Sequence, residues 1–341
     1  MPSSYEQYPP YIPIIKCQKW ERLALKETAP AVADRILPCI EVRMSDQHRA
    51  MIQEYGTTWT RPALVDYADP HGHLSPSRIT ELNDFLNVVG GSAQLASPVL
   101  SPASARTTFP AIKAALGNRK VALRLRLADF DSIDDQLALV QHCLTTPGLK
   151  TATNRLIVDL GVTPGNLAGA SIAVFANALK KLKALDFPHI HLASGAFPDS
   201  LAHINGATLI DRKDWTLWEK IAAASPATHI GFSDYGPLTP KWTEEITQRR
   251  GGRVVIRYAL KNKWRVIRGQ NNTKAESIAI STLMANAYAA EFKGRGYSFG
   301  DDLIADRADP AVPLRKKKCG LYHFTEFWTH HMAFVVKDQY Y

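Results

Sequence analysis

The strongest constraint on the fold is a recurring pair of segments: a short apolar run, then a stretch with helical spacing. The pair occurs eight times over about the first 240 residues. Strands that alternate with helices form a mostly parallel sheet, because each helix carries the chain back to the edge where the next strand starts. The apolar runs cover residues 11–16, 35–43, 61–68, 96–101, 120–127, 155–161, 189–194 and 228–234.

Eight such units favour a sheet closed into a barrel over an open, doubly wound sheet. The chain has no Gly-x-Gly-x-x-Gly motif after its first apolar run, so the usual reason to expect a dinucleotide-binding fold is missing. We predict an α/β protein with a (β/α)8, TIM-barrel-like fold. We expect its fourth strand to be short or irregular, because Pro98 and Pro102 cannot donate to a strand ladder.

The pattern changes after residue 240. Residues 251–259 and 264–268 are two runs of mixed apolar and charged residues with a polar turn between them, which predicts a β-hairpin. Residues 273–292 are rich in alanine and predict a helix. The expected organisation is a barrel-like core over residues 1–240, with a hairpin and helix extension over residues 241–341 packed on the barrel.

Composition narrows the classes of function. The net charge of +9 and the pI near 9.3 favour an anionic partner such as nucleic acid or an acidic protein surface. The four cysteines are scattered singly, so neither a zinc site nor a redox motif is expected, and no cofactor is indicated. The sequence shows neither a secretory signal nor a long apolar span, so we expect a cytoplasmic protein that does not bind membranes.

In a barrel the usable site lies at the carboxyl ends of the strands, where this chain places charged residues. Carboxylates there could act as general acids or bases, and cationic or phenolic groups could hold an anionic ligand. The alternative is that strand ends are polar because they meet solvent, or form simple ion pairs. The catalytic candidates are Glu41, Asp66, Asp159 and Asp234, and the binding candidates are Lys16, Arg124, Arg126 and Tyr235.

The last hundred residues add further candidates. Residues 294–302 are punctuated by glycine and carry Asp301, which could meet a ligand that the backbone approaches closely. His330 and His331 are either a proton-transfer or anion-recognition pair, or a partly buried polar pair that opens a strand. Arg257 and Arg268 lie beside aromatic residues of the hairpin, a composition that suits nucleic acid but equally suits an ordinary charged surface.

A series of short motifs, in this order along nearly the whole chain, resembles the phage-type Beta protein family. Each motif is unspecific alone, and the order carries the likeness. The motifs are Trp20-Glu21, Ile36-x-Pro-x-Ile-Glu41, Arg124-x-Arg126, Asp129-Phe130, Asp159-Leu-Gly161, Phe197-Pro198, Asp214-Trp-x-x-Trp218, Asp234-Tyr-Gly236, Arg257-Tyr258, Arg268-Gly269, Gly300-Asp301 and His330-His331.

The resemblance implies a protein of mobile elements and bacterial defence loci, similar to a satellite-phage protein that counteracts a killing protein encoded beside it. It implies no catalytic residues. Our first hypothesis is therefore an antiphage-defence or toxin-immunity component that binds a protein encoded in the same locus, or nucleic acid. The alternative is a TIM-barrel hydrolase or lyase acting on a phosphorylated or nucleotide substrate, and a third option is a structural subunit of a larger assembly.

Overall fold

The computed structural model describes residues 8–89, 95–127, 132–165, 167–241 and 252–340. The predicted motif Asp129-Phe130 lies outside these residues. The strands of the described part are β1 Ile12–Lys16, β2 Cys39–Glu41, β3 Ala63–Asp66, β4 Ala96–Leu100, β5 Val121–Arg126, β6 Thr153–Val162, β7 His189–Gly195, β8 Gly206–Asp211, β9 Gly231–Asp234, β10 Val255–Ala259 and β11 Lys263–Arg268.

The helices follow the predicted alternation. They are α1 Lys19–Lys26, α2 Pro30–Ala33, α3 Ser45–Thr58, α4 Pro76–Val89, α5 Pro102–Leu116, α6 Ser132–Leu144, α7 Leu149–Ala152, α8 Gly169–Lys183, α9 Lys213–Ala224, α10 Lys274–Ala287, α11 Phe299–Ala308 and α12 Tyr322–Phe334.

Strands β1 to β7 and β9 form a closed, fully parallel barrel in chain order, which confirms the predicted (β/α)8 fold. The eight strands lie at the eight apolar runs, and β6 and β7 extend one or two residues beyond theirs. This agreement is expected because a strand buried on both faces is apolar throughout. The fourth strand is a regular member of the barrel and includes Pro98, so the expected irregularity is absent. Pro102 lies outside it and opens α5, where its missing N–H costs no helical hydrogen bond.

The chain divides into two compact units. The barrel unit comprises Met1–Cys17, Ile36–Gly195 and Lys213–Tyr235, and the second unit comprises Gln18–Arg35, Ala196–Arg212 and Gly236–Tyr341. The last boundary falls near the predicted one at residue 240. The second unit also takes in two earlier segments, which local sequence pattern did not separate from the barrel.

The predicted hairpin exists, as β10 and β11, but it belongs to a three-stranded antiparallel sheet. Strand β11 is central and pairs with both β10 and β8. The core on one face of the sheet includes Ile256 and Tyr258, and the core on the other face includes Trp264 and Val266. The sheet is therefore covered on both faces by apolar side chains of its own unit.

Two helices of the second unit approach each other closely at Gly300. A Cβ atom there would lie 2.1 Å from the Glu326 carbonyl oxygen, so only glycine fits. The helix that carries Glu326, α12, also contains His330 and His331. The expectation of a strand opening at this histidine pair is wrong, because a short continuous apolar run is compatible with a buried helix as well as a strand.

Candidate functional site

The barrel interior carries a charged layer above an apolar one. Side chains two residues apart on a strand point to the same face. On five strands, an apolar residue of the barrel core is followed two positions later by a buried charged residue. These pairs are Ile14 and Lys16, Cys39 and Glu41, Leu64 and Asp66, Ala122 and Arg124, and Ile157 and Asp159.

Arg124 lies at the centre of this charged layer. Its Nη1 donates to Glu41 Oε1 at 2.9 Å and to Asp66 Oδ2 at 2.7 Å. Its Nε donates to Asp159 Oδ2 at 2.8 Å, and its Nη2 donates to the Tyr235 hydroxyl at 2.7 Å. The Tyr235 hydroxyl in turn donates to Asp159 Oδ2 at 2.7 Å. One guanidinium group thus joins residues from four other strand ends.

Two further arginines complete what we call the Arg124 network. Arg126 Nη2 donates to Asp66 Oδ2 at 2.7 Å, and Arg43 pairs with Glu41. The network therefore contains three carboxylates and three guanidinium groups, and its formal charge is zero. Its members are Glu41, Arg43, Asp66, Arg124, Arg126, Asp159 and Tyr235.

Asp66 is the carboxylate with the clearest change in acidity. Burial alone would raise its pKa, but the charges of Arg126, Arg124 and Arg43 outweigh burial and lower the pKa to about 2. A backbone hydrogen bond of 3.0 Å from Ala68 to Oδ1 acts in the same direction. Asp66 is ionised over the whole physiological range.

The other two carboxylates behave alike. Burial would raise the pKa of Glu41, yet Arg43 and Arg124 hold it below its usual value. Burial would also raise the pKa of Asp159, and Arg124 and Arg126 again lower it. Neither carboxylate is therefore prepared to carry a proton at neutral pH, which a general acid must do.

The phenol and the central guanidinium keep their neutral-pH forms as well. Burial raises the pKa of Tyr235 well above its usual value, so this hydroxyl is a hydrogen-bond bridge and not a phenolate. Burial would lower the pKa of Arg124, but the charges of Asp159, Glu41 and Asp66 raise it. The structure brings six predicted site residues into one network: Glu41, Asp66, Arg124, Arg126, Asp159 and Tyr235.

The other two predicted barrel residues are also buried. Lys16 is in register with Glu41 on the neighbouring strand. Asp234 accepts a hydrogen bond of 2.6 Å from the hydroxyl of Tyr11. Sequence reasoning missed Tyr11, because it lies at the start of an apolar run and only its hydroxyl distinguishes it from the core residues around it.

In the second unit, Asp301 and His330 come together in a separate buried cluster. Asp301 accepts hydrogen bonds from the Tyr258 hydroxyl at 2.6 Å and from Ser298 Oγ at 2.5 Å. His330 Nδ1 lies 3.0 Å from Asp301 Oδ2, and its Nε2 lies 3.1 Å from the Ala259 carbonyl oxygen. Asp301, His330 and Tyr258 are each at most 1% exposed, so the cluster links α11, α12 and β10 and is closed to solvent.

The remaining predicted residues of the second unit lie elsewhere. His331 is buried against the rings of Trp264 and Trp328. Arg268 donates to the carbonyl oxygens of Ala202 and Ile204. The hairpin aromatics Tyr258 and Trp264 are buried, so their faces are not available for stacking on bases.

Exposed positive charge is found instead on residues 314–321, which we call the basic segment. Arg315, Lys316 and Lys318 are exposed there. Two leucines flank them, Leu314 at 61% and Leu321 at 49% exposure. Arg315 and Lys316 form no ion pair with any described residue, so their charge is available to a partner.

Comparison with known proteins shows which family the chain belongs to, but it does not show an activity. A family model described as Beta protein matches residues 11–337. No curated protein matches the sequence. Among the described residues, no helix has the length and apolar character needed to cross a membrane.

Two solved structures are distantly similar to the chain. One is the apo form of a candidate deoxyribose-phosphate aldolase from Toxoplasma gondii, with a TM-score of 0.41, 10% identity, and coverage of 67% of this chain and 90% of that one. The other is an intracellular xylanase of Thermoanaerobacterium saccharolyticum, a mutant in complex with xylotriose, with a TM-score of 0.43, 11% identity, and coverage of 72% and 92%. At these values neither likeness bears on chemistry.

Proposed function

Because this chain belongs to the Beta protein family, we propose that it is a binding component of an antiphage-defence or toxin-immunity system in a phage-related locus. Its partner in this proposal is a protein encoded in the same locus. The chain acts by association with that protein, and the barrel serves as a scaffold.

The observation that supports binding over catalysis is the closed Arg124 network. A general acid or base works best when its pKa is near the working pH, and the pKa of Asp66 is about 2, while those of Glu41 and Asp159 are also lowered. Each of these carboxylates is already engaged by a guanidinium group. The residues at the usual catalytic positions of a barrel therefore stabilise one another.

The basic segment is the surface that we propose for the partner. Exposed leucines can be desolvated at the centre of an interface, while lysine and arginine side chains around them attract an acidic surface. Leu314 and Leu321 supply the first feature, and Arg315 and Lys316 supply the second. This combination suits an acidic protein better than a single-stranded nucleic acid, which would call for exposed aromatic faces.

The test is co-expression with the neighbouring protein of the locus, followed by capture and by measurement of toxicity and phage plating. We expect R315E/K316E to slow association about tenfold, because charge at an interface rim mainly changes the association rate. R49E/K274E is the matched control, since it changes the net charge equally at exposed positions elsewhere. Absence of association and of any effect on toxicity or plating with the wild-type protein would reject the proposal.

A nucleic-acid partner gives a different result in a second assay. Labelled RNA, single-stranded DNA and duplex DNA are titrated across a salt series with the wild-type protein and with R257A/R268A. Binding that weakens steeply with salt and is lost in R257A/R268A would replace the protein partner by a nucleic acid.

The enzyme alternative has one observation in its favour, the convergence of three carboxylates and three guanidinium groups inside a barrel. A hydrolase or lyase acting on phosphorylated or nucleotide substrates would turn over members of a phosphate-ester panel. That activity should disappear in Asp159→Asn while the variant stays folded. Turnover meeting both conditions would favour catalysis over binding.

A further inference from the structure

Arg257 of β10 is held in a slot between two aromatic rings of the second unit. Its guanidinium carbon lies 4.8 Å from the ring centroid of Phe197 and 5.0 Å from that of Phe327. Its Nη1 donates to the Pro237 carbonyl oxygen at 2.7 Å. The two rings and this hydrogen bond fix the position of the guanidinium plane.

The guanidinium group of Arg257 has no carboxylate partner among the described residues. Its Nε is buried and makes no hydrogen bond within that part of the chain. Two fully buried arginines do have carboxylate partners, because Arg124 meets three carboxylates and Arg307 meets Glu326. Arg119 resembles Arg257 in having no carboxylate partner among the described residues and a buried Nε without a hydrogen bond, but it donates to two carbonyl oxygens.

The absence of an opposing carboxylate among the described residues leaves the pKa of Arg257 lowered by burial. Burial lowers the pKa of Arg257 to about 10, with no opposing carboxylate. The group is still a cation at neutral pH, and the protein keeps it partly desolvated. An incoming anion would therefore meet a positioned donor whose desolvation has largely taken place already, which favours binding.

We propose that Arg257 is the anchor of a binding site for a small oxyanion, either a carboxylate or a phosphoryl group. The guanidinium fork matches the paired oxygens of both groups, and the flanking rings restrict their approach to the edge of the guanidinium plane. This site goes beyond the proposed partner binding, because it uses neither the basic segment nor the Arg124 network. Its failure would leave the proposed function standing.

The test observes the arginine directly. Arginine Nε–H resonances are recorded by nitrogen-15 NMR during titration with inorganic phosphate and, separately, with acetate, at an ionic strength held constant with sodium chloride. Arg257→Lys assigns the Arg257 resonance and keeps the positive charge while removing the fork. Far-UV circular dichroism and the melting temperature establish that the variant is folded.

Arg265→Lys is the matched control. Arg265 also lies over an aromatic ring, that of Tyr288 at 4.2 Å, but Glu291 already occupies its fork through bonds of 2.8 and 2.6 Å. We expect the Arg257 resonance to shift saturably with one anion or both. We also expect Arg257→Lys to weaken that binding about tenfold to a hundredfold, while Arg265→Lys leaves it unchanged.

The anion that binds more tightly identifies the ligand as a carboxylate or a phosphoryl compound. An Arg257 resonance that does not move with either anion would overturn the site. So would binding that survives unchanged in Arg257→Lys.

Discussion

The barrel unit and the second unit bury arginine in opposite ways. In the barrel, Arg124 is surrounded by Glu41, Asp66 and Asp159, and every carboxylate of the network has a cationic partner. In the second unit, Arg257 lies between phenyl rings with no carboxylate among the described residues. The difference is one of charge balance: each carboxylate of the barrel network is paired with a cation, whereas Arg257 has no carboxylate opposite it in the described part of the chain, and this is the charge that we propose a ligand meets.

The largest expected effect comes from Arg124→Met. Removing this group leaves several buried carboxylates without their main cation, which typically costs about 3–5 kcal/mol. Arg257→Met should cost about 1 kcal/mol or less, since it removes one hydrogen bond and two ring contacts but strands no carboxylate. Urea unfolding of both variants measures the contrast, and equal losses would contradict the distinction between a saturated and an unsaturated arginine.

The next-largest effect is expected on the free energy of unfolding at acid pH. The folded-state pKa of Asp66 is about 2, below its usual 3.8, so the stability that this carboxylate contributes is present above about pH 4 and is lost as the pH falls toward about 2. The shift corresponds to about 2 kcal/mol. Asp66→Asn should therefore lose less of its own unfolding free energy than the wild type between about pH 5 and pH 3.

The acid titration needs a control that removes an exposed carboxylate, one that contributes little to the stability of the fold. Asp186→Asn serves, because this side chain is 79% exposed and its ion pair is with Lys150, a surface lysine that is itself 60% exposed. It should lose stability with acid as the wild type does. If Asp66→Asn also follows the wild-type profile, the network does not lower the pKa of Asp66 as described.

The smallest expected effect compares two tyrosines that each bridge to a carboxylate. Tyr235→Phe leaves Arg124 and Asp159 bonded directly to each other, so we expect a loss of about 1 kcal/mol. Tyr258→Phe leaves the Lys293 N–H without its acceptor, whereas Arg124 Nη2, which loses its acceptor in Tyr235→Phe, still lies 2.8 Å from Asp159 Oδ2. The loss for Tyr258→Phe should therefore be larger, about 1–2 kcal/mol. Chemical denaturation of both variants decides the order, and a larger loss for Tyr235→Phe would show that the barrel network is the less redundant of the two.

The fold was largely predictable because parallel strands that are buried on both faces produce continuous apolar runs in the sequence. The charged layer was partly predictable as well, because Arg124 and Arg126 alternate with leucines on their strand. The sequence could not indicate that one arginine would bind three carboxylates, because that depends on side-chain geometry across four strands.

Other features escaped prediction because they depend on contacts distant in sequence. Strand β8 was not foreseen, and it becomes a strand by pairing with β11 far along the chain. The slot around Arg257 joins residues near positions 197, 237 and 327, which no local pattern connects. The segments Gln18–Arg35 and Ala196–Arg212 likewise belong to the second unit through such contacts.

The zero charge of the Arg124 network decides where the electric field of this molecule originates. Since the network contributes nothing to the net charge of +9, that charge arises from other groups, among them exposed side chains such as Arg315 and Lys316. Fields from exposed groups are screened beyond about 8–10 Å at physiological ionic strength. The attraction of anionic partners from a distance should therefore fade as salt is added, while the ion pairs inside the barrel remain almost indifferent to it.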